Sequence, residues 1–562
     1  MENGKEGKRA KVKKEKKDIW KKIIVVGALL LVACIVLIIS PNFKKDPNEG
    51  KINFIINNNN VTGKLKHNIW INESDVVYVS MEDIENYFDG QIYYDKANNQ
   101  MITTSDTKVA VLSLTEKKMI VNGSEVKLVD GAIRKDGVFY LPISEMAKIY
   151  NLEIENIDNK VITLDSLDRE LIKADTSKKV TVKATTKLIA RTVDKLEQGS
   201  KVVVISEKDG YSRIRTQNGK IGYIKSDKLA NKTTVREKLE TKPQIAGKVN
   251  LVWDYYSEYV EAPVRNETIP GINVVSPSFF SLKNAEGVVI NDNTTRGGEA
   301  YIAWAKEKGY KVWPMFSNNS MKAKTSEILN DYNLRTEMIE KIVQLAIKYK
   351  VDGINVDFEF MNMEDKDVYS RFIIELAPRL REYGIVTSVD VTAPDGSENW
   401  SLCFDRDALA KASDYMMFMA YDQHGTSTGV GTVAGCDWVE ANIKKFLGQE
   451  DVPKEKIILG MPLYTRLWKT DKNGKVSSSV VNMNKVEQSL PTDVSKNWDE
   501  LTKQYYVEYT KGSDKYQMWI EDTDSIRAKI DLINQYELAG SAFWEKDREN
   551  EDIWNLVQEK LK

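Results

Sequence analysis

One ten-residue stretch constrains this chain more than any other: Val351-Asp352-Gly353-Ile354-Asn355-Val356-Asp357-Phe358-Glu359-Phe360. Apolar and polar residues alternate strictly, the pattern of a β-strand whose side chains point to opposite faces in turn. Ile354, Val356, Phe358 and Phe360 fall on one face; Asn355, Asp357 and Glu359 fall on the other. Neighbours on one face stand roughly 6–7 Å apart. A solvated acidic edge strand is the plain reading of such a polar row. A strand of a (β/α)8 barrel would instead bury its apolar face under helices and aim the polar row into the barrel mouth. Two carboxylates two residues apart repel, so one of them is expected to hold a proton near neutral pH.

The surrounding sequence favours the barrel. From Ile245 onward eight strand-like runs follow one another: Val249 to Trp253, Ile272 to Pro277, Lys311 to Phe316, Val351 to Phe360, Ile385 to Val391, Tyr415 to Tyr421, Lys456 to Tyr464 and Gly540 to Trp544. Helix-like text such as Glu299 to Lys308 and Thr336 to Lys348 lies between them. Strands alternating with helices predict a parallel sheet, and eight of them predict an α/β fold of the (β/α)8 TIM-barrel type over 245–562. A longer insert, Lys469 to Asp522, separates the last two runs and carries strand-like Tyr505 to Tyr509 and Tyr516 to Ile520. Sites on such barrels lie at the C-terminal strand ends. There the sequence places Asp390 and Thr392, then Met419, Tyr421, Asp422 and Gln423, then Met461, Tyr464 and Arg466, and finally Trp544.

These residues carry a family resemblance. Asp352-Gly353-Ile354-Asn355-Val356-Asp357-Phe358-Glu359 resembles the DGxDxDxE signature of glycoside hydrolase family 18, with Asn355 in place of the middle aspartate. Met419, Tyr421 and Asp422 match the family's MxYD pattern, and Trp544 stands where the family places a tryptophan under the scissile sugar. The resemblance implies substrate-assisted retaining hydrolysis of a sugar bearing a 2-acetamido group. Glu359 would act as general acid and then base, Asp357 would orient and charge-stabilise the acetamido group, and Tyr421 would hydrogen-bond it. Asn355, Asp422, Trp544, Tyr464 and Arg466 are the expected substrate-binding residues. Asn355 is expected to hydrogen-bond Asp357 and, unlike an aspartate, to share no proton with it, which predicts a simple acid limb in the pH–rate profile. No metal or other cofactor is expected.

The third run ends Met315-Phe316-Ser317-Asn318-Asn319, where many chitinases of the family carry SxGG. That departure and Asn355 make the chain look more like the spore-cortex-lytic N-acetylglucosaminidase branch. The implied partner is a glycan containing N-acetylglucosamine, either peptidoglycan or chitin. A chitinase and a non-catalytic glycan-binding wall protein on a dead barrel remain the alternatives.

The first 250 residues read as tethering and accessory text. Residues 1–22 hold ten Lys or Arg against four acids, and Ile23 to Ser40 runs eighteen residues without a charge. This reads as a basic cytoplasmic tail (1–22) and an uncleaved transmembrane signal anchor (23–40) that would leave the rest of the chain outside a cell membrane. The basic head abuts an apolar run, which argues against nucleic-acid binding.

Over 51–170 the text is strand-rich and weakly repeated: Tyr78-Val79-Ser80-Met81-Glu82-Asp83-Ile84 matches Tyr140-Leu141-Pro142-Ile143-Ser144-Glu145-Met146. Met119-Ile120-Val121-Asn122-Gly123 is a hairpin signal. An α+β repeat domain is expected, similar to the copper-amine-oxidase N-terminal-like domain; its single histidine, His67, cannot build a copper site. Residues 178–232, with Asp209-Gly210 and Asn218-Gly219 between short strands, resemble a bacterial Src-homology-3-like small β-barrel. With only His67 and His424 in the chain, a His-rich metal site and a Ser-His-Asp triad are nearly excluded, and three cysteines (Cys34, Cys403, Cys436) make no disulfide scaffold.

Overall fold

The computed structural model describes residues 19–32, 50–187, 189–238, 244–394 and 396–561. Residues 19–32 form a helix with exposed apolar side chains. No helix among the described residues is long and apolar enough to cross a membrane. The expected span over 23–40 runs past residue 32, and its remainder lies outside the described residues.

The chain divides into two compact units, one taking in residues up to 101, 112–119 and 126–241, the other 102–111, 120–125 and 242 onward. The first is rich in β-structure. Val77–Ser80 and Val138–Pro142, the strands of the two similar stretches, pair antiparallel with Leu141 opposite Val79. Each runs into a short helix, Met81–Tyr87 and Ile143–Met146. Ser80 caps the first helix by accepting from the Asp83 N–H. Further along, a seven-stranded sheet includes Leu171–Thr176 and Leu229–Arg236 beside the strands expected over 178–232.

The second unit holds the barrel. Its strands are β1 (Val249–Asp254), β2 (Val274–Pro277), β3 (Lys311–Val312, resuming as Met315–Ser317), β4 (Gly353–Asp357), β5 (Val386–Val391), β6 (Tyr415–Met419), β7 (Ile457–Pro462) and β8 (Gly540–Trp544). All pair parallel with their neighbours, and Val249 against Gly540 closes the ring. Pro314 interrupts β3 because it has no N–H to give, yet its carbonyl still accepts from the Asn355 N–H at 2.9 Å. Helices such as Tyr332–Tyr349 and Lys366–Arg381 cover the outside. Arg335 and Glu375, both buried, join these two helices through bonds of 3.0 and 3.2 Å.

The lumen is filled by Val249, Leu251, Trp253, Val274, Trp313, Met315, Met417, Ile458 and Ala542. Gly353 opens β4 because a Cβ there would meet the Trp313 ring at 2.5 Å. The insert leaves β7 at once. Its five-stranded sheet runs in the order Val476–Asn482, Tyr464–Thr470, Asp514–Ile520, Gln504–Lys511, Lys496–Asp499. Gln504, Lys529 and Ser525 converge on a fully buried Glu521 at its base. Cys403 and Cys436 are both free and buried, so they form no bridge.

Candidate active site

The strand carrying the central stretch is shorter than its alternation suggests, Gly353–Asp357 rather than 351–360. Ile354, Val356 and Phe358 do face the helix layer, and Phe358 stacks on Phe372 at 5.5 Å. The expected alternation fails at Phe360. Its backbone enters the left-handed region (φ 52°), and the side chain, 48% exposed, turns out of the core. This conformation costs a bulky residue of order 1 kcal/mol. Phe360 lies 4.8 Å from the Trp400 ring, and both line a cleft of about 570 Å³ together with Tyr421, Asp422 and Arg466.

Asn355 is completely buried, so it cannot touch a substrate, and its expected place among the binding residues is corrected to one beneath the floor. Its bonding partners also differ from expectation. Oδ1 accepts from Trp253 Nε1 at 2.8 Å and from Ser276 Oγ at 3.4 Å. Nδ2 donates to Asp390 Oδ1 at 2.6 Å and to Ser388 Oγ at 3.1 Å. The indole N–H can only donate, which fixes the orientation of the amide and turns its two hydrogens toward β5 rather than toward Asp357. Asp357, at the end of β4, keeps one buried oxygen (Oδ1) with no partner.

Glu359 lies two residues beyond the strand end, and its peptide is gripped by Asn318. Asn318 Nδ2 donates to Glu359 O at 2.9 Å, and Asn318 Oδ1 accepts from Glu359 N at 3.0 Å. Burial pushes the Asp357 carboxyl up to about 7. Burial and then the charges of Asp357 and Asp422 hold Glu359 well above the usual carboxylate range. Asp390 is raised for the same first reason, with Asp357 next. Burial is therefore the leading cause of the raised values, and the repulsion expected from the sequence comes second. The Tyr421 phenol is pushed up by burial and by Asp390, which keeps it a donor at neutral pH.

The remaining expected residues gather at the same end of the barrel. Tyr464, buried, donates its hydroxyl to Asp422 Oδ1 at 2.7 Å, and Arg466 stands 3.9 Å from the same oxygen. These contacts hold Asp422 at the cleft, where its backbone has φ 56°. The Tyr421 and Tyr464 rings meet edge to face at 6.5 Å. Trp544, at the end of β8, packs 5.9 Å from both Trp253 and Tyr255. Asn318, Phe360 and Trp400 are not among the expected site residues. The only signal for Asn318 was the departure from SxGG; Phe360 was hidden by the alternation.

A protonated carboxyl next to a second carboxyl that titrates near neutrality, below a phenol donor, can protonate a leaving oxygen and stabilise a developing positive charge. Residues 251–549 match the family profile of Glycosyl hydrolases family 18, and residues 55–165 match that of the Copper amine oxidase N-terminal domain. The chain is similar to the uncharacterized glycosylase YvbX of Bacillus subtilis, 26% identical over 305 residues, covering 52% of this chain and 85% of that protein. It is similar to the cortical fragment-lytic enzyme of Bacillus anthracis, 25% identical over 318 residues, covering 53% and 71%. In fold it resembles a C-terminal domain from Desulfitobacterium hafniense, with a TM-score of 0.50 at 20% identity, covering 56% of this chain and all of that one. With the family profile spanning more than half of its length, the chain belongs to glycosyl hydrolase family 18 and is a glycoside hydrolase.

Proposed function

We propose that the enzyme cleaves β-1,4 bonds next to N-acetylglucosamine in peptidoglycan, spore cortex above all, by substrate-assisted retaining catalysis. The observation that carries this reading is the pair at the end of β4: Glu359 held protonated by burial, with Asp357 beside it and titrating near 7. Glu359 gives its proton to the leaving oxygen. The substrate's acetamido oxygen attacks the anomeric carbon, and Asp357 and Tyr421 hold the acetamido group while the ring forms. Glu359, now a carboxylate, deprotonates the water that opens the ring, and the original configuration returns. The likeness to a cortical fragment-lytic enzyme supports cortex as the substrate. The basic residues 1–22 and the uncharged run from Ile23 to Ser40 support a membrane tether with the barrel outside.

The test incubates the full chain with N-acetylglucosamine oligomers, chitin and purified cortex peptidoglycan, beside Glu359→Gln. New reducing ends of retained configuration from peptidoglycan, absent with the variant, are expected. Preference for chitin would move the enzyme to the chitinase reading, and binding without cleavage by both proteins would make it a lectin. Recovery of the chain in the soluble fraction of cells would remove the tether.

A further inference from the structure

An asparagine at 355 removes from β4 the carboxyl with which Asp357 could share a proton. The structure puts another carboxyl within reach of it. The register pairs Asn355 with Ser388 and Val356 with Val389. Continued one pair, it sets Asp357 beside Asp390 on the neighbouring strand, where parallel strands lie about 5 Å apart. Asp390 is buried, and Asn355 Nδ2 holds its Oδ1 at 2.6 Å. Both hydrogens of that amide are committed to β5, so Asn355 offers Asp357 nothing.

Among the described residues, the groups facing this pair are carboxyls, phenols and neutral polar side chains. Glu359 follows Asp357 on the same segment, Tyr369 comes from the helix Lys366–Arg381, and Tyr421 and Asp422 follow β6. None of them brings a positive charge. Two adjacent carboxylates, Asp390 buried and Asp357 half-buried with one oxygen sealed from solvent, have no cation among these groups and cannot both ionise, so the pair must carry a proton. The buried oxygen of Asp357 that lacks a partner is where such a proton fits.

We propose that Asp390 is a positioning residue for the reaction, exchanging one proton with Asp357 across β4 and β5 in place of the residue that Asn355 has replaced. This rests on the assignment of Asp357 and Glu359 above. Before substrate binds, the two carboxyls share the proton. When the acetamido N–H arrives at Asp357, the proton passes to Asp390, and Asp357 meets the developing positive charge as a carboxylate. The proton leaves one carboxyl oxygen and joins another, and the charge of the pair stays at one throughout. A shared proton of this kind predicts a more complex acid limb than Asn355 alone implies.

The test compares four proteins on an N-acetylglucosamine tetramer across pH: the parent, Glu359→Gln, Asp390→Asn and the double variant Asn355→Asp with Asp390→Asn. Asp390→Asn keeps an oxygen to accept from Asn355, so a purely structural role would survive it. Without Asp390 the Asp357 proton must leave for solvent. The expected result is a kcat lowered about tenfold or more below neutral pH, KM within about twofold, and an acid limb displaced upward by about one pH unit. In the double variant the two residues exchange chemistry, the amide of residue 390 now donating to the carboxylate at 355. Its kcat is expected to return to within about threefold of the parent.

A parent profile retained by Asp390→Asn overturns the proposal. So does a double variant no more active than Asp390→Asn, and that comparison also decides the matter if the single variant folds poorly. An inactive parent, or an active Glu359→Gln, would instead overturn the assignment of the site on which the proposal rests.

Discussion

Asn318 grips the peptide of Glu359 from both sides, giving a hydrogen to its carbonyl at 2.9 Å and taking one from its N–H at 3.0 Å. The side chain is itself buried and anchored by a further bond to Thr325 Oγ1 at 3.1 Å. Glu359 has already left β4, so the sheet ladder no longer fixes its backbone, and this one amide does. Asn318→Leu removes both bonds without leaving a large void. Because a misplacement of ~1 Å can cost ~100-fold in rate, kcat is expected to fall between about tenfold and a hundredfold with KM little changed. Steady-state kinetics on N-acetylglucosamine oligomers check this. A proportionate rise in KM would mean that Asn318 serves binding instead.

The aromatic pair in the cleft makes a second expectation. Phe360 and Trp400 stand 4.8 Å apart with their rings tilted by 44°, and both are open to solvent enough to meet a sugar face. Replacing either by Ala should weaken oligomer binding by about 1–1.5 kcal/mol, a roughly tenfold rise in KM for long substrates. Short substrates that do not reach the pair should be spared. Equal effects on dimers and hexamers would contradict this placement.

Stability should depend on pH through the acids of the site. The Asp357 carboxyl holds its proton up to about 7 in the folded chain, whereas in the unfolded chain it loses it near 4. A raised carboxyl favours folding below its unfolded value, and that contribution is lost as pH rises through the folded one. Between roughly pH 4 and 7 it takes away up to about 1.4 kcal/mol per pH unit. Asp357→Asn should therefore gain stability over the parent as pH rises from 4 to 8. Urea unfolding at a series of pH values tests the sign, and a gap between the two proteins that shrinks with pH would refute it.

Below the insert, Lys529 and Glu521 form a fully buried ion pair at 3.0 Å, and Glu521 also accepts from Gln504 and Ser525. Lys529→Met strands the carboxylate and should cost about 3–5 kcal/mol. A variant as stable as the parent in thermal unfolding would show that the carboxyl is already neutral there.

Much of this architecture was written plainly in the sequence. All eight strands came from runs of apolar text between helical text, because parallel strands buried on both faces must be apolar almost throughout. Glu359, Asp357 and Tyr421 stand out in the sequence through the DGxDxDxE and MxYD likenesses, and the barrel brings them to one end. What escaped depended on contacts between distant residues. Nothing in the neighbourhood of Asn355 announces that Trp253, about a hundred positions earlier, will claim its oxygen. Nothing near Phe360 announces a left-handed backbone, since bulky residues rarely adopt one. Spacing along a strand reports repulsion, whereas burial, the leading cause of the raised carboxyl values, is set only once the ring has closed.

The bond from Trp253 to Asn355 has one more consequence. Trp253 is the packing of the lumen, and Asn355, fixed by it, holds Asp390. The hydrocarbon interior and the acid cluster are therefore mechanically linked through this amide, and a change in one is passed to the other. A substitution chosen to repack the interior, such as Trp253→Phe, frees the amide to turn over and re-aims the carboxyl on β5. In this enzyme a core mutation will be read out as a change in the working pH range before it is read out as a loss of fold.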